Sequence, residues 1–346
     1  MASPAIVQSV TQRTVMRKKC TLGIDIGATK TLLGVFDERL DLRDELKLKT
    51  EPADGAQAFL AKLESSVRTL RADARKKGLE IAGVGVGIAG DIDVDRARIL
   101  SCPNIPFLPQ SGLNENLAKW TQCPVVLGND CHLALYGEHQ MGAARGFNDV
   151  IGIFLGSGIG GALLIGGKIH LGVSGCAGDL GHYLLQPIEP LAGAARQGFL
   201  DDFGSRMALS SEAARMAAKQ WAPYLQKTTG TDVRDIRSGE LARAIKHGDK
   251  RIEELVRSRM HAVGIVLSNF VDFLNPELVL LGGGLVEAMP GLVRGEIKKG
   301  IEGHTTRRAG KAVRVVVSKL ARHAVTTGAA RIAQNHLRRD KKLRAR

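Results

Sequence analysis

Two stretches of this chain are written on one plan. Residues 21–36 read as an apolar strand, a turn of small residues at Gly27-Ala28-Thr29-Lys30, and a second apolar strand. Residues 150–165 repeat the plan around Gly156-Ser157-Gly158-Ile159-Gly160-Gly161. A glycine turn between two apolar runs is a β-hairpin. It is not the strand-to-helix turn of a Walker loop, and the Gly-x-x-x-x-Gly-Lys-Ser/Thr spacing is absent as well. After each hairpin the chain goes on into helices and further strands. This recurrence predicts a duplicated α/β core, with two lobes and a cleft between them.

The intervening segments fill out that plan. Residues 56–77 have helical periodicity and end at Gly78, a natural C-cap. Residues 81–88 form a buried strand closing on Ala89-Gly90-Asp91. Pro103-Asn104-Ile105-Pro106 reads as a rigid extended loop. A strand at 125–127 stops at Gly128-Asn129-Asp130, and a helix covers 131–141. Residues 172–183 are glycine-rich and irregular. Helices are expected over 205–225 and 241–274, the second broken near 246–249. A strand at 277–281 meets Gly282-Gly283-Gly284, then a helix interrupted by Pro290. A strand at 312–317 and a helix at 325–337 complete the core. The lobes on this reading are residues 21–128 and 129–324. Residues 1–20 are a flexible leader, the helix at 325–337 packs back on the first lobe, and 338–346 form a solvated basic tail.

The totals exclude several classes. A chain of 346 residues, 44% hydrophobic, can bury two cores, and no apolar run is long enough to span a membrane. Five scattered cysteines without CxxC spacing fit a reducing, cytoplasmic setting. The net charge of +14 invites a nucleic-acid reading, but nine of those charges sit in the leader and the tail. Aromatic residues are 4% of the chain, too few for stacking platforms. No specific nucleic-acid partner and no membrane partner is expected.

Chemistry concentrates at the strand ends. Asp25 ends an apolar strand, where a carboxylate is costly without a partner, and a hydrated magnesium ion is one such partner. Gly27 and Ala28 let backbone N–H groups approach an anion, with Thr29 and Lys30 adding a hydroxyl and a charge. The same residues also serve as a plain hairpin turn with a paired Asp. Asn129-Asp130 likewise has two readings: a helix N-cap, or a carboxylate delivered into a cleft as a general base.

Taken together, these segments and Gly282–Gly284 resemble the sugar kinases of the actin-like ATPase fold, a duplicated ribonuclease H-like α/β architecture. More narrowly, residues 22–330 resemble the ROK family (repressor, open reading frame, kinase). The resemblance implies ATP as phosphoryl donor and Mg2+ near Asp25. It implies phosphate contacts at Gly27, Thr29 and Lys30, and again at Gly156, Ser157, Gly158 and Gly160. Gly282, Gly283 and Gly284 would border the adenosine. Asp130 would be the catalytic base, and Asn104, Asn129, Asp130, Asp179, His182 and Asp201 would hold a hexose. Relatives of this kind are often dimers or tetramers, so a homo-oligomer is expected.

The chain departs from the family at one wall. Gly178-Asp179-Leu180-Gly181-His182 stands where the family has Gly-Glu-x-Gly-His. The family's three following cysteines are replaced by Ala192, Ala194 and Phe199, and its closing Glu by Asp201. Without those thiolates no structural zinc is expected. The two shortened acids suggest an altered sugar specificity. The expected activity is an ATP-dependent hexose kinase, glucokinase-like. The alternatives are a sugar-responsive ROK regulator or a non-catalytic sugar-binding protein. The 21 residues ahead of Leu22 are too few for a DNA-binding helix-turn-helix domain, which disfavours the regulator.

Overall fold

The computed structural model describes residues 17–185 and 198–344. The first sheet contains β1 (Lys18–Ile26), β2 (Lys30–Phe36), β3 (Leu42–Lys49), β4 (Leu79–Ile88) and β7 (Val125–Asn129), in the order β3-β2-β1-β4-β7. β5 (Asp91–Asp93) and β6 (Arg98–Ser101) form a small separate hairpin. The second sheet contains β8 (Val150–Leu155), β9 (Ile159–Ile165), β10 (Lys168–His170), β11 (Leu278–Gly282) and β12 (Arg314–Val317), in the order β10-β9-β8-β11-β12. In each sheet three antiparallel strands come first and two parallel strands are added on the far side of the first one. The two sheets therefore share one topology.

Alternation along each first strand divides the layers. Leu22, Ile24 and Ile26 face an outer core shared with α1 (Gly55–Lys76) and α2 (Leu113–Thr121). Ile151, Ile153 and Leu155 face the larger outer core of the second lobe. That core is built by α4 (Leu200–Gly204), α5 (Arg206–Ala218), α6 (Pro223–Thr228), α7 (Ser238–Lys246), α8 (Lys250–Leu274), α9 (Gly284–Ala288), α10 (Pro290–His304) and α11 (Arg307–Ala312). The inner faces are covered by the helices that follow the last strand of each sheet. These are α3 (Asp130–Met141), which crosses to β8 and β9, and α12 (Ala324–Arg344), which crosses to β1 and β4. The two helices also pack on each other at glycines: a Cβ on Gly137 would overlap the Ala324 carbonyl, and one on Gly328 the Leu133 carbonyl.

Several expectations change in detail. The final helix does not stop at Leu337 but runs through Arg344, because Lys and Arg are good helix formers and nothing in that stretch breaks the helix. The basic tail is thus helical over 338–344, rather than a disordered end. The leader is shorter than expected, since β1 begins at Lys18. The helix expected over 205–225 is two, separated by Gln220 in the left-handed region and restarted at Pro223. Pro103–Pro106 is not extended. It forms successive turns, closed by Ile105 N–H to Cys102 O at 3.0 Å and Leu108 N–H to Ile105 O at 2.9 Å. Residues 1–16 of the leader, and Ala192 and Ala194 of the cysteine-less loop, lie outside the described residues.

Candidate active site

The N-lobe part of the site lies at the carboxyl ends of three parallel strands. In register, Asp25 of β1 pairs with Gly87 of β4, and Gly87 with Gly128 of β7. Asp25 and Gly128 are therefore level and two strands apart, about 10 Å by ordinary strand spacing. Asp130 follows two residues beyond Gly128, as the first residue of α3. Parallel α/β sheets form clefts at this edge because their loops diverge there.

Burial pushes the Asp25 carboxyl up to about 7, helped by the charge of Asp130 and opposed by Lys30. Asp130 is also raised, chiefly by burial, against the N–H of Cys131 at 2.9 Å from its Oδ1. Among the described residues the Asp25 carboxyl has neither a hydrogen bond nor an ion pair, while its backbone is held in the ladder between β2 and β4. Two hard oxygen donors, one of them unpartnered, suit a magnesium ion that keeps several waters and takes its other ligands from phosphate. The chemistry of the donor set fits the expected metal. Among the described residues no group of three His, Cys, Asp or Glu side chains converges as an all-protein metal site.

Asn129 has the capping role. Its Oδ1 accepts from Cys131 N–H at 2.9 Å and His132 N–H at 3.1 Å, and its Nδ2 donates to Gly90 O at 3.3 Å. Such a cap contributes about 1 kcal/mol and fixes the direction in which Asp130 leaves the strand. One Nδ2 proton remains for a ligand. Asn104 is exposed in the 102–105 turn. That turn belongs to the same neighbourhood, since the Asp130 charge reaches Cys102.

The two glycine turns are built differently. The Gly27–Lys30 turn is closed by Gly27 N–H to Lys30 O at 3.1 Å. Thr50 fastens it from below: its Oγ1 donates to Gly27 O at 2.6 Å and lies 3.0 Å from Thr31 Oγ1. Thr29 and Lys30 are exposed above it. The 156–158 turn is closed by Gly156 N–H to Gly158 O at 2.8 Å, and Ser157 and Gly158 are exposed at its tip. Next to it, Gly283 has φ +90°, and a Cβ there would lie 2.6 Å from Leu155 O, so only glycine fits. Gly160 abuts α3, where a Cβ would overlap the Cys131 sulfur.

The third wall closes around Cys131. Burial pushes its thiol well up, and the charges of Asp130, Asp179 and Asp25 add to that, so all three acids lie within electrostatic reach of this one side chain. Asp179 Oδ2 and His182 Nδ1 are 2.6 Å apart. Asp201 accepts the N–H of Ile159, and its Oδ1 would lie 2.9 Å from a Cβ on Gly158. Asp201 was expected on the sugar. One of its oxygens is engaged under the second glycine turn, and the other has no hydrogen-bond partner among the described residues. Burial raises the Asp201 carboxyl, with the Ile159 bond opposing. Phe199, in place of a family cysteine, stands edge-on to His182 at 5.7 Å between ring centroids.

Sequence reasoning missed three contributors: Thr50, His132 and Arg206. His132 is buried and its Nε2 lies 2.9 Å from Ala177 O, tying α3 to the loop before Asp179. Arg206 donates to Ser157 Oγ at 2.8 Å. The first two carried no motif; Arg206 opens a helix directly after Ser205, a cap signal that was available.

A profile of the ROK family matches residues 21–336. The glucokinase of Streptomyces coelicolor is 29% identical over 320 residues, 91% of this chain and 97% of its own. An N-acetylgalactosamine kinase of Shewanella sp. (strain ANA-3) is 30% identical over 273 residues, 77% of this chain and 82% of its own. The crystal structure of a ROK family glucokinase from Streptomyces griseus, in complex with glucose and AMPPNP, superposes with a TM-score of 0.76 at 29% identity. It covers 91% of this chain and 99% of that one, and with it this chain shares the actin-like ATPase sugar kinase fold. By these matches, the chain belongs to the ROK family.

Proposed function

We propose that this chain is an ATP- and magnesium-dependent hexose kinase that converts glucose to glucose 6-phosphate. The observation that carries the reading is the placing of Asp130. It stands at a strand end beside the unpartnered Asp25, within one electrostatic neighbourhood with Asp179. Relatives named as kinases of glucose and of N-acetylgalactosamine support the broader class, a sugar kinase.

On this reading Asp130 takes the proton of the sugar hydroxyl as that oxygen attacks the γ-phosphorus. The bond between the γ-phosphorus and the bridging oxygen breaks, and ADP leaves with the electron pair. A carboxylate raised toward neutrality is a better base than one at its ordinary value. Asn104, Asp179 and His182 orient the sugar, with the free Nδ2 proton of Asn129 and the second oxygen of Asp201 as further contacts. Gly27, Thr29 and Lys30 meet the phosphates from one lobe, and Gly156, Ser157, Gly158 and Gly160 from the other. Gly282, Gly283 and Gly284 border the adenosine. Magnesium, when bound near Asp25, neutralises phosphate charge.

The test is purified protein with Mg-ATP and a panel of glucose, mannose, fructose, N-acetylglucosamine, N-acetylmannosamine and N-acetylgalactosamine. Coupled ADP release and sugar phosphate are both measured. Glucose turnover above the others supports the reading. Turnover of an N-acetyl sugar alone keeps the kinase and replaces the substrate. The mutual pairing of Asp179 with His182 favours one second reading, a non-catalytic sugar binder. Sugar binding without turnover of any panel member is its signature.

A further inference from the structure

Two arginines stand beside the second glycine turn without a role in the reading above. Arg206 is the first residue of α5. Its main-chain N–H donates to Gly156 O at 2.9 Å, and Met207 N–H to Ser157 O at 3.3 Å. The start of the helix is thus fastened to the turn, and these two amides are occupied. The Arg206 side chain then reaches Ser157, with Nη2 2.8 Å from Oγ. Ser157 is exposed and Arg206 half-buried. Arg237 lies within electrostatic reach of Arg206 and precedes Ser238, whose Oγ would lie 3.5 Å from a Cβ on Gly284. Arg206 is thus tied to the turn at 156–158, and Arg237, within its electrostatic reach, adjoins a residue that stands near Gly284.

Their lack of acids sets them apart. Nearby, Arg215 pairs with Glu212, Arg234 with Asp232 and Arg243 with Glu240. Arg206 and Arg237 have no ion-pair partner among the described residues. Burial and the charge of Arg237 both push the Arg206 guanidinium down. Two like charges held together are stabilised by an anion that joins them, and a guanidinium fork matches phosphate oxygens bidentately.

We propose that Arg206, with Arg237 beside it, binds the phosphate chain of the nucleotide donor, and that Ser157 holds Arg206 over the turn until the donor arrives. This rests on the kinase reading for the role of the turn. Ser157 gives the guanidinium a single neutral acceptor, which phosphate oxygens replace with charged ones. Arg237 adds long-range attraction and positions nothing by itself.

The test is calorimetric titration of wild type, Arg206→Gln, Arg206→Lys and Arg237→Gln with Mg-ADP and with Mg-ATP, alongside glucose. Thermal melts establish that each variant is folded. Arg206→Gln is expected to weaken both nucleotides about ten- to a hundredfold. Arg206→Lys recovers part of that loss, and Arg237→Gln costs about threefold or more and flattens the salt dependence. Glucose affinity stays within about twofold throughout. Nucleotide affinity within about twofold of wild type in Arg206→Gln overturns the proposal. If that variant does not fold, an unchanged affinity and salt dependence in Arg237→Gln, whose side chain is exposed, overturns it instead. A sugar kinase indifferent to both arginines sinks this inference alone. A wild type that binds nucleotide through Arg206 yet phosphorylates no sugar sinks the kinase reading alone, and one that binds neither nucleotide sinks both.

Discussion

Laid strand on strand, the two sheets correspond residue by residue. Gly23 matches Gly152 and Asp25 matches Phe154 on the inner face, and their parallel neighbours Gly87 and Gly282 match as well. The skeleton is repeated while the last inner residue of the first strand changes from a carboxylate to an aromatic ring. The neighbouring strands differ too. β4 has Gly83, Gly85 and Gly87 on this face, where β11 has Leu278, Leu280 and Gly282. A Cβ on Gly85 would overlap the Ala329 carbonyl, so the backbone of α12 lies directly on the first sheet. On the second sheet Leu135 of α3 meets Leu278 and Leu280 through side chains. One topology thus supports a polar edge under a tightly seated helix and an apolar edge under a side-chain layer. On the proposed function the first edge handles the proton and the metal, and the second holds the nucleotide.

The largest effect separates the two edges by chemistry. Asp130→Ala is expected to lower kcat by about 10²–10⁴-fold while sugar and nucleotide still bind. On the other edge the first residue after β12 is Ser318, which by register matches Gly128, and its Oγ donates to the buried Glu138. Ser318→Ala is expected to leave kcat within about twofold and to cost about 1 kcal/mol of stability. Steady-state kinetics and urea unfolding on the same two proteins check both arms. Equal losses of kcat in the two would break the division of labour.

A second prediction tests whether the glycine edge is steric. In Gly283→Ala the new Cβ lies 2.6 to 2.7 Å from the Leu155 backbone at a positive φ. The expected cost is about 3 kcal/mol, from strain and overpacking together. Nucleotide affinity should fall more than sugar affinity, because the shift opens the contact between β8 and β11. Thermal unfolding with and without Mg-ADP measures it. A variant as stable as wild type shows that the loop has slack and that the glycine is not required.

The same contrast explains what could be read from the sequence. Periodicity and glycine placement gave both hairpins, α3, the break before α8 and the Pro290 restart, since these depend on local chemistry. The polar β3 escaped notice because its outward face alternates charged residues and its apolar face is thin. Thr50, at its end, could not be tied to Gly27 without that strand. Asn129-Asp130 carried two readings; the structure shows the cap through Asn129, and the role of the Asp130 carboxylate as general base belongs to the proposed function. Asp201 was placed on the sugar by resemblance, whereas its bond to Ile159 N–H depends on how α4 meets β9. Long-range contacts of that kind have no signature in spacing. Arg206 is similar: a residue opening a helix is visible, but the turn it leans on lies 49 positions earlier.

A third prediction concerns the cost of the carboxylate edge. The Asp25 carboxyl sits near 7 in the folded protein against 3.8 ordinarily. Between those values the folded chain keeps a proton that the unfolded chain has released. Without metal, unfolding free energy therefore falls as pH rises from about 4 to about 7, then levels off. The expected loss is on the order of 1–3 kcal/mol. Asp25→Asn removes most of this slope, melts higher than wild type at pH 8 without metal, and no longer gains stability from magnesium. Melting curves across pH, with and without Mg2+, check each part. A wild type whose metal-free stability rises over that range would contradict the buried charge.

The smallest effect belongs to the other edge. Phe154 is half-buried over Gly282, with Cδ1 2.6 Å from where a Cβ there would stand, and it also lies against Gly152. Phe154→Leu keeps an apolar side chain but shortens the cover over two glycines, for a cost of about 1 kcal/mol. The contact of the ring with Gly152 and Gly282 is apolar, so the loss should be the same at pH 5 and pH 8, unlike the change at Asp25. Activity should follow stability, with KM for ATP rising about threefold or less and KM for sugar unchanged. A pH-dependent loss at Phe154, or a fall in kcat comparable to that of Asp130→Ala, would mean that both strand ends serve the same chemistry. Matching topology would then extend to matching function, and the apolar ring would need a role in phosphoryl transfer that its position over Gly282 does not suggest.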